Sequence, residues 1–181
     1  RQSTALDSVY NFNALLIDDI ILPPVLSKDE NGYRQYDPDT ARSTQVLYRI
    51  EHAARLVTMV PNWRDFLLKS YVPPGSPAWA VLPSNEAEVE IWESAVSEGW
   101  DKGVEQADLI FEGSLGLLTR VYEGMLTYRQ LMLEGVVSRP MLSKAEMDIV
   151  FDGNELNVGD TLYRLVGQPE FQQPSSWIPT K

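Results

Sequence analysis

The residue best suited to acid–base or metal chemistry is His52, the single histidine among 181 residues. A Ser-His-Asp arrangement is formally possible, but no Gly-x-Ser-x-Gly turn accompanies this histidine. A metal site would need carboxylate partners at helical or hairpin spacing, and none stands near it in the sequence. We therefore interpret His52 as a structural residue.

Carboxylates offer the next possible chemistry. Asp18-Asp19 and the glutamates of the segment 86–112 could form an acid–base pair, although charged surface is the simpler interpretation. The sequence Asp37-Pro38-Asp39 resembles an oxygen-ligand loop but lacks the glycine and the distal glutamate of a calcium loop. The absence of cysteine excludes thiolate catalysis, cysteine-ligated zinc and disulfides within the chain. We predict no catalytic, metal-binding or cofactor-binding residue, no cofactor, and a protein that is not an enzyme.

The acidity of the chain is local. The net charge is −11, and the segment 86–112 holds nine acidic residues and one lysine, which give −8. Nucleic-acid binding needs clustered lysine and arginine, so the sequence argues against direct binding of nucleic acid. A solvated helix face explains the charge, and a basic partner surface is the alternative.

The elements that must position these residues centre on a long amphipathic segment, 86–134. At about 100° per residue, one apolar stripe from Trp92 to Tyr128 keeps its phase along the helix. Four glycines lie beside this stripe, where each costs roughly 0.5–1 kcal/mol relative to alanine. We predict close packing at these glycines, within the domain first: Gly99, Gly103, Gly113 and Gly124. The stripe near Trp92 and Val96 should then be buried.

The ends of this segment are well marked. Ser84 or Asn85 can cap its start, and Gly135 is a natural terminator. A straight helix of this length would span about 75 Å, whereas a compact chain of this size is roughly 40 Å across. The helical middle is therefore one or two helices: it either projects as a rod or breaks, and we favour a kink or short break near Gly113–Gly116, giving two helices.

The flanking segments predict an α+β fold with small antiparallel sheets. We predict one domain, 1–181, with an N-terminal helix at 4–20, a hairpin region at 136–166 and an extended tail at 167–181. Residues 27–39 are interpreted as a loop or wide hairpin connection, and 44–58 as a strand. Pro61 to Leu67 predicts a short helix. Within the hairpin region, Gly153 marks a first turn, and Gly159-Asp160 marks a second turn before a third strand.

Five tryptophans are many for a chain of this size. Core packing is the default interpretation of each, but tryptophan and arginine are also favoured anchors of protein interfaces. The candidate interface residues lie in the short helix, the proline-rich connector and the tail: Trp63, Arg64, Pro73, Pro74, Trp79 and Trp177.

Several motifs together resemble a known family. The opening Leu6-Asp7-Ser8-Val9-Tyr10-Asn11-Phe12-Asn13 and the following Ile21-Leu22-Pro23-Pro24-Val25-Leu26 resemble the start of DotC-like proteins, called TraI in conjugation systems of I-type plasmids. The segment Pro61-Asn62-Trp63-Arg64-Asp65-Phe66-Leu67 is similar to that family's Pro-x-Trp-Arg-x-Tyr-Leu, with Phe66 in place of tyrosine. Further matches run in the same order: Glu90-Ile91-Trp92, Gly99-Trp100, Gly103, Gln106-Ala107, Gly124-Met125, Tyr128, and Gly153 with Glu155.

The resemblance implies a structural subunit of the outer-membrane core complex of a type IVB secretion or conjugation apparatus. It implies a periplasmic position at the outer membrane, copies of the chain in a ring, and DotD-like and DotH-like partner subunits. The family begins with a lipoprotein signal and a lipidated cysteine, which this chain does not contain, so a lipid anchor is an inference. Differences from the effector-secreting form favour conjugation.

Two other classes of function stay open at this point. One is a periplasmic hydrolase that uses His52 and a nearby carboxylate. The other is a cell-wall-binding module whose exposed tryptophans stack on sugars.

Overall fold

The structure is a computed structural model that describes residues 2–73, 75 and 82–178. It is an α+β protein with one long helix and small antiparallel sheets. The chain divides into two compact units, Arg1–Asn62 with Arg120–Lys181, and Trp63–Thr119. The expectation of one domain over 1–181 stays a prediction.

The N-terminal helix is shorter than the sequence suggested. Helix α1 covers Gln2–Val9, and a separate 3₁₀ helix covers Phe12–Leu15. One helix over 4–20 is therefore wrong. Asp18 and Asp19 have φ angles of 49° and 61°, which place them in the left-handed region and exclude a right-handed helix there.

A long hairpin occupies the region interpreted as a loop. Strand β2, Val25–Asp37, pairs antiparallel with β3, Thr40–His52. The loop at 27–39 is therefore wrong, because main-chain pairing forms a strand here even though the side chains are mostly polar and exposed. The strand expected in 44–58 is confirmed in β3. A two-residue pair, β1 at Ile21–Leu22 with β4 at Arg55–Leu56, completes this part of the chain.

The second hairpin is confirmed near the C-terminus. Strand β5, Met141–Asp152, pairs antiparallel with β6, Glu155–Gly167. Gly153 lies in the turn with φ +49°, a conformation that a side chain disfavours. The second turn at Gly159-Asp160 is wrong, since Asp160 stays paired with β5 and a single strand continues through it.

The helical middle is one helix. After the short helix α2, Trp63–Leu67, helix α3 runs unbroken over Glu86–Leu133. The Asn85 side chain accepts a hydrogen bond from the backbone N–H of Glu88 at 3.0 Å, so Asn85 is the N-cap. The break expected near Gly113–Gly116 is wrong.

The end of α3 is a Schellman motif. Gly135 has φ +73°, and its N–H donates to the carbonyl of Met132 at 3.1 Å. The N–H of Val136 donates to the carbonyl of Leu131 at 2.8 Å. These two bonds satisfy helix carbonyls that would otherwise have no partner, which confirms Gly135 as the terminator.

The core lies in the unit formed by the two terminal segments. The C-terminal part of α3 packs against the residues around β1 and the start of β2. The buried residues of this core cluster are Ile17, Ile21, Leu26, Ala54, Tyr128, Leu131 and Val137. Edge-to-face contacts join the Tyr122 ring to Tyr10 and Phe12, with centroids 5.4 and 5.2 Å apart.

The tail folds back along this unit. Phe171 forms a β-bridge with Val137, and the N–H of Ile178 donates to the carbonyl of Glu134 at 2.8 Å. A 3₁₀ turn at Pro174–Ser176 precedes Trp177. The tail is therefore extended but attached over its described residues.

Candidate interaction surfaces

The structure does not bring the candidate catalytic and metal-binding residues into one site. His52 is exposed at the end of β3, opposite Val25. No group of three or more histidine, aspartate or glutamate side chains that could hold a metal occurs in the described part of the chain. The Asp18 carboxylate accepts a hydrogen bond from Arg139 at 3.1 Å, and Asp37 accepts one from the N–H of Asp39 at 2.9 Å. Both carboxylates therefore have identified structural partners.

An apolar stripe along the N-terminal half of α3 is uncovered. We call this surface the helix stripe; its members lie within about 100° of arc on the helix. They are Val89, Trp92, Val96, Trp100, Ile110 and Phe111. All but Trp92, which is half-buried, are exposed, and Trp100 is 73% exposed. Among the described residues, the burial expected at Val96 is therefore wrong, whereas Trp92 is half-buried.

The same stripe is covered farther along the helix. Leu118, Met125 and Tyr128 continue its phase, and all three are buried. The sequence pattern predicted one buried side over the whole length of α3. In the described part of the chain, the buried residues of this stripe lie toward the C-terminal end of α3.

Of the four glycines beside the stripe, one lies in close contact with another segment and three do not. An added Cβ at Gly124 would lie 2.5 Å from Val25 Cγ1 and 2.7 Å from the Leu26 carbonyl oxygen, so a strand crosses the helix closely here. The corresponding positions at Gly99, Gly103 and Gly113 have no neighbour within 4 Å. Close packing at those three glycines stays a prediction.

The β5–β6 hairpin carries a second uncovered apolar surface, which sequence reasoning missed. Alternation along the two strands places one set of apolar residues on a single face, and we call this set the hairpin face. It consists of Met147, Ile149, Leu156, Val158 and Leu162. All five are exposed, with Val158 at 72% and Ile149 at 66%. The period-two spacing of these residues was visible in the sequence.

The opposite face of this hairpin packs on the core at its base, through Leu142 and Leu165, and is polar beyond them. Lys144 lies across from Tyr163, with its ammonium 5.4 Å from the ring centroid, and Glu146 lies across from Thr161. The hairpin is thus amphipathic, and its apolar side is the one without cover.

Two of the candidate interface residues form a stacked pair in the second unit. Trp63 is only 8% exposed, and the Arg64 guanidinium lies 4.3 Å from its ring centroid. Pro73 is exposed, whereas Pro74 and Trp79 lie outside the described residues. An interface role for these residues stays a prediction.

Trp177 lies on the first unit beside an apolar groove of about 630 Å³. Its indole N–H donates to the carbonyl of Gln172 at 3.1 Å, and the residue remains 47% exposed. The groove is lined mainly by apolar side chains: Val46, Tyr48, Leu131, Val136, Phe171 and Ile178. Trp177 therefore lies back across its own unit.

The protein is therefore an α+β protein that exposes two apolar surfaces among its described residues, the helix stripe and the hairpin face. The chain matches, over residues 1–179, the family model described as type IV secretory system, conjugal DNA-protein transfer. It belongs to this TraI family of type IV secretion and conjugation components, as the sequence motifs indicated. The family is not a known enzyme family. Comparison with curated proteins gives no match.

Family membership makes the chain a component of a cell-envelope apparatus. No helix among the described residues is both long and apolar enough to cross a bilayer.

Proposed function

We propose that the chain is a structural subunit of the outer-membrane core complex of a type IVB conjugation or secretion apparatus. The observation that carries this proposal is the uncovered helix stripe, in a chain whose family model matches residues 1–179. The largest exposed apolar surface of a soluble protein is often a functional one. A subunit that is completed by its neighbours explains it.

The partners in this proposal are copies of the chain in a ring, together with DotD-like and DotH-like core subunits. A lipid anchor preceding this chain would hold the ring at the periplasmic face of the outer membrane. The charge of −8 over 86–112 disfavours DNA as a direct ligand, so the chain would support DNA transfer without contacting the DNA.

The test is site-specific photo-crosslinking at Trp100 in the purified apparatus. We expect products that join like chains, because Trp100 is the most exposed member of the helix stripe. A probe at Glu98, about 160° from Trp100 around the helix axis, is the matched control and should give fewer such products. If neither position gave crosslinks between copies of the chain, the proposed ring would be contradicted. Binding to purified peptidoglycan that Trp100→Ala abolishes would instead favour a cell-wall-binding module.

His52→Ala is expected to leave the frequency of conjugal transfer unchanged. His52 is exposed, and no metal-ligating cluster occurs among residues 2–73, 75 and 82–178, so we expect its loss to remove only surface contacts. The measurement is mating frequency together with the amount of assembled core complex. Loss of transfer with assembly retained would support the hydrolase alternative.

A further inference from the structure

We propose that the helix stripe of one copy is covered by the hairpin face of a second copy. This inference rests on the proposed function, because it names the surfaces through which neighbouring subunits meet. The two surfaces are of complementary kinds: an apolar helix side and an apolar sheet face, which commonly pack as layers of one core.

The covered part of α3 shows what such a contact looks like. At Gly124 the start of β2 crosses the helix so closely that a Cβ would lie 2.7 Å from the Leu26 carbonyl oxygen. Gly99 and Gly103 lie within about 60° of Gly124 around the helix axis and have open space above them. The uncovered half of α3 therefore repeats the geometry that accepts a strand.

The stability of an isolated hairpin gives a second reason to expect a partner on the hairpin face. A two-stranded hairpin is marginally stable in water unless a further layer packs on its hydrophobic face. In the described chain, β5 and β6 pair only with each other, and their apolar residues are exposed. A helix laid on the hairpin face would supply the missing layer.

The two surfaces overlap in length. The stripe from Val89 to Phe111 extends about 33 Å along the helix, and the hairpin face extends about 20 Å along β6 from Leu156 to Leu162, so it would cover part of the stripe. Each surface exposes on the order of 500 Å² of apolar area, a large part of the roughly 800 Å² that each partner contributes to a standard interface.

Charge favours packing of the helix on the hairpin over packing of two α3 helices against each other. Two α3 helices side by side would bring together two segments that each carry −8. On the same side of the sheet as the hairpin face lie one aspartate and one arginine, Asp160 and Arg164, whose charges cancel. A second copy therefore meets the helix better through its hairpin than through its helix.

Cysteine crosslinking tests the contact, since the chain contains no cysteine of its own. The full-length protein is expressed with the apparatus as two differently tagged forms, one carrying Val96→Cys and the other Val158→Cys. A short bis-maleimide should join the two tags. Replacing Val96→Cys by Asp101→Cys, or Val158→Cys by Glu146→Cys, moves one thiol to the opposite face and should reduce the product about tenfold.

The possible outcomes separate the alternatives. If the Val158→Cys form crosslinks to a second Val158→Cys chain as strongly as to the Val96→Cys form, the helix-on-hairpin arrangement is wrong. If the apparatus contains like-with-like neighbours but the Val96–Val158 product is absent, this inference fails while the ring stands. If no like chains are neighbours at all, the proposed function fails as well.

A variant without cysteine gives an independent readout. Val158→Asp is expected to reduce Val96-directed photo-crosslinking between copies about tenfold, because a carboxylate would be desolvated in the contact. Val158 is 72% exposed, so the circular dichroism of the chain should not change. Thr161→Asp, on the other face of the same strand, is the matched control. Equal crosslinking in Val158→Asp and the parent protein would contradict the contact.

Discussion

Gly124→Ala is expected to lower the free energy of unfolding by about 1–3 kcal/mol, because it overpacks the closest helix–strand contact. The new Cβ would lie 2.5 Å from Val25 Cγ1, 2.7 Å from the Leu26 carbonyl oxygen and 3.1 Å from the Leu26 nitrogen. The valine side chain can rotate away. The Leu26 main chain is paired with Ile50 in the β2–β3 hairpin and cannot move without disturbing that pairing.

The matched control is Gly116→Ala in the same helix. Nothing lies within 4 Å of the added Cβ there, so the substitution should raise the free energy of unfolding by about 0.5–1 kcal/mol through helix propensity alone. Urea denaturation followed by circular dichroism measures both variants. The close-approach argument would be wrong if Gly124→Ala stabilised the protein as much as Gly116→Ala does.

Features with local causes were predictable from the sequence. Asn85 caps α3 through its own side chain, and Gly135 ends it in a left-handed conformation that favours glycine. Gly153 between two apolar runs marked the C-terminal hairpin for the same kind of reason. Each of these signals depends on a few neighbouring residues, so no knowledge of the rest of the fold was needed.

The continuity of α3 was not predictable from local glycines. A glycine costs about 1 kcal/mol in a helix, which a long cooperative helix tolerates. The expected break near Gly113–Gly116 assumed that every turn must fit within a compact body. In the structure, residues 93–113 are exposed around the whole helix, so this assumption does not hold for them.

Polar composition concealed the strand β2. Residues 27–39 contain few apolar side chains, and alternation could not reveal a strand that is exposed on both faces along most of its length. Its pairing with β3 is made by main-chain groups, which every non-proline residue provides.

The candidate surfaces show a similar limit. Helical phase correctly grouped Trp92, Val96 and Tyr128 on one side of α3. It could not show that only Tyr128 is covered within the chain, because cover depends on where distant segments fold. The apolar alternation of Ile149, Leu156 and Val158 could have identified the hairpin face directly.

Tyr128→Ala is expected to have the largest effect of any single substitution, a loss of about 3–5 kcal/mol in the free energy of unfolding. The tyrosine has no exposed surface, and it belongs to the core cluster with Ile21 and Leu131. Its hydroxyl donates to the Ser138 carbonyl at 3.1 Å and lies 3.5 Å from Met132 Sδ. Denaturation of a Leu126→Ala variant, an exposed site on the same helix, is the control and should show a much smaller loss.

Tyr128→Phe separates the hydroxyl from the ring. It keeps the packing and removes the hydrogen bond to Ser138, so the expected loss is only about 1–2 kcal/mol near neutral pH. Burial raises the pKa of Tyr128 from 10.0 to about 12, against a smaller opposing effect of the Arg139 charge. In the unfolded chain the phenol loses its proton near the ordinary value, whereas the folded core keeps it neutral.

The sign of the pH dependence follows from this difference. The contribution of the neutral Tyr128 is fully present below about pH 10 and is lost as the pH rises from about 10 to about 12. The parent protein should therefore lose stability over that interval more steeply than Tyr128→Phe, so that the two unfolding curves approach each other in alkali. Exposed tyrosines such as Tyr33 remain in both proteins and cancel in the comparison. An alkaline slope that Tyr128→Phe leaves unchanged would show that the buried phenol does not control it.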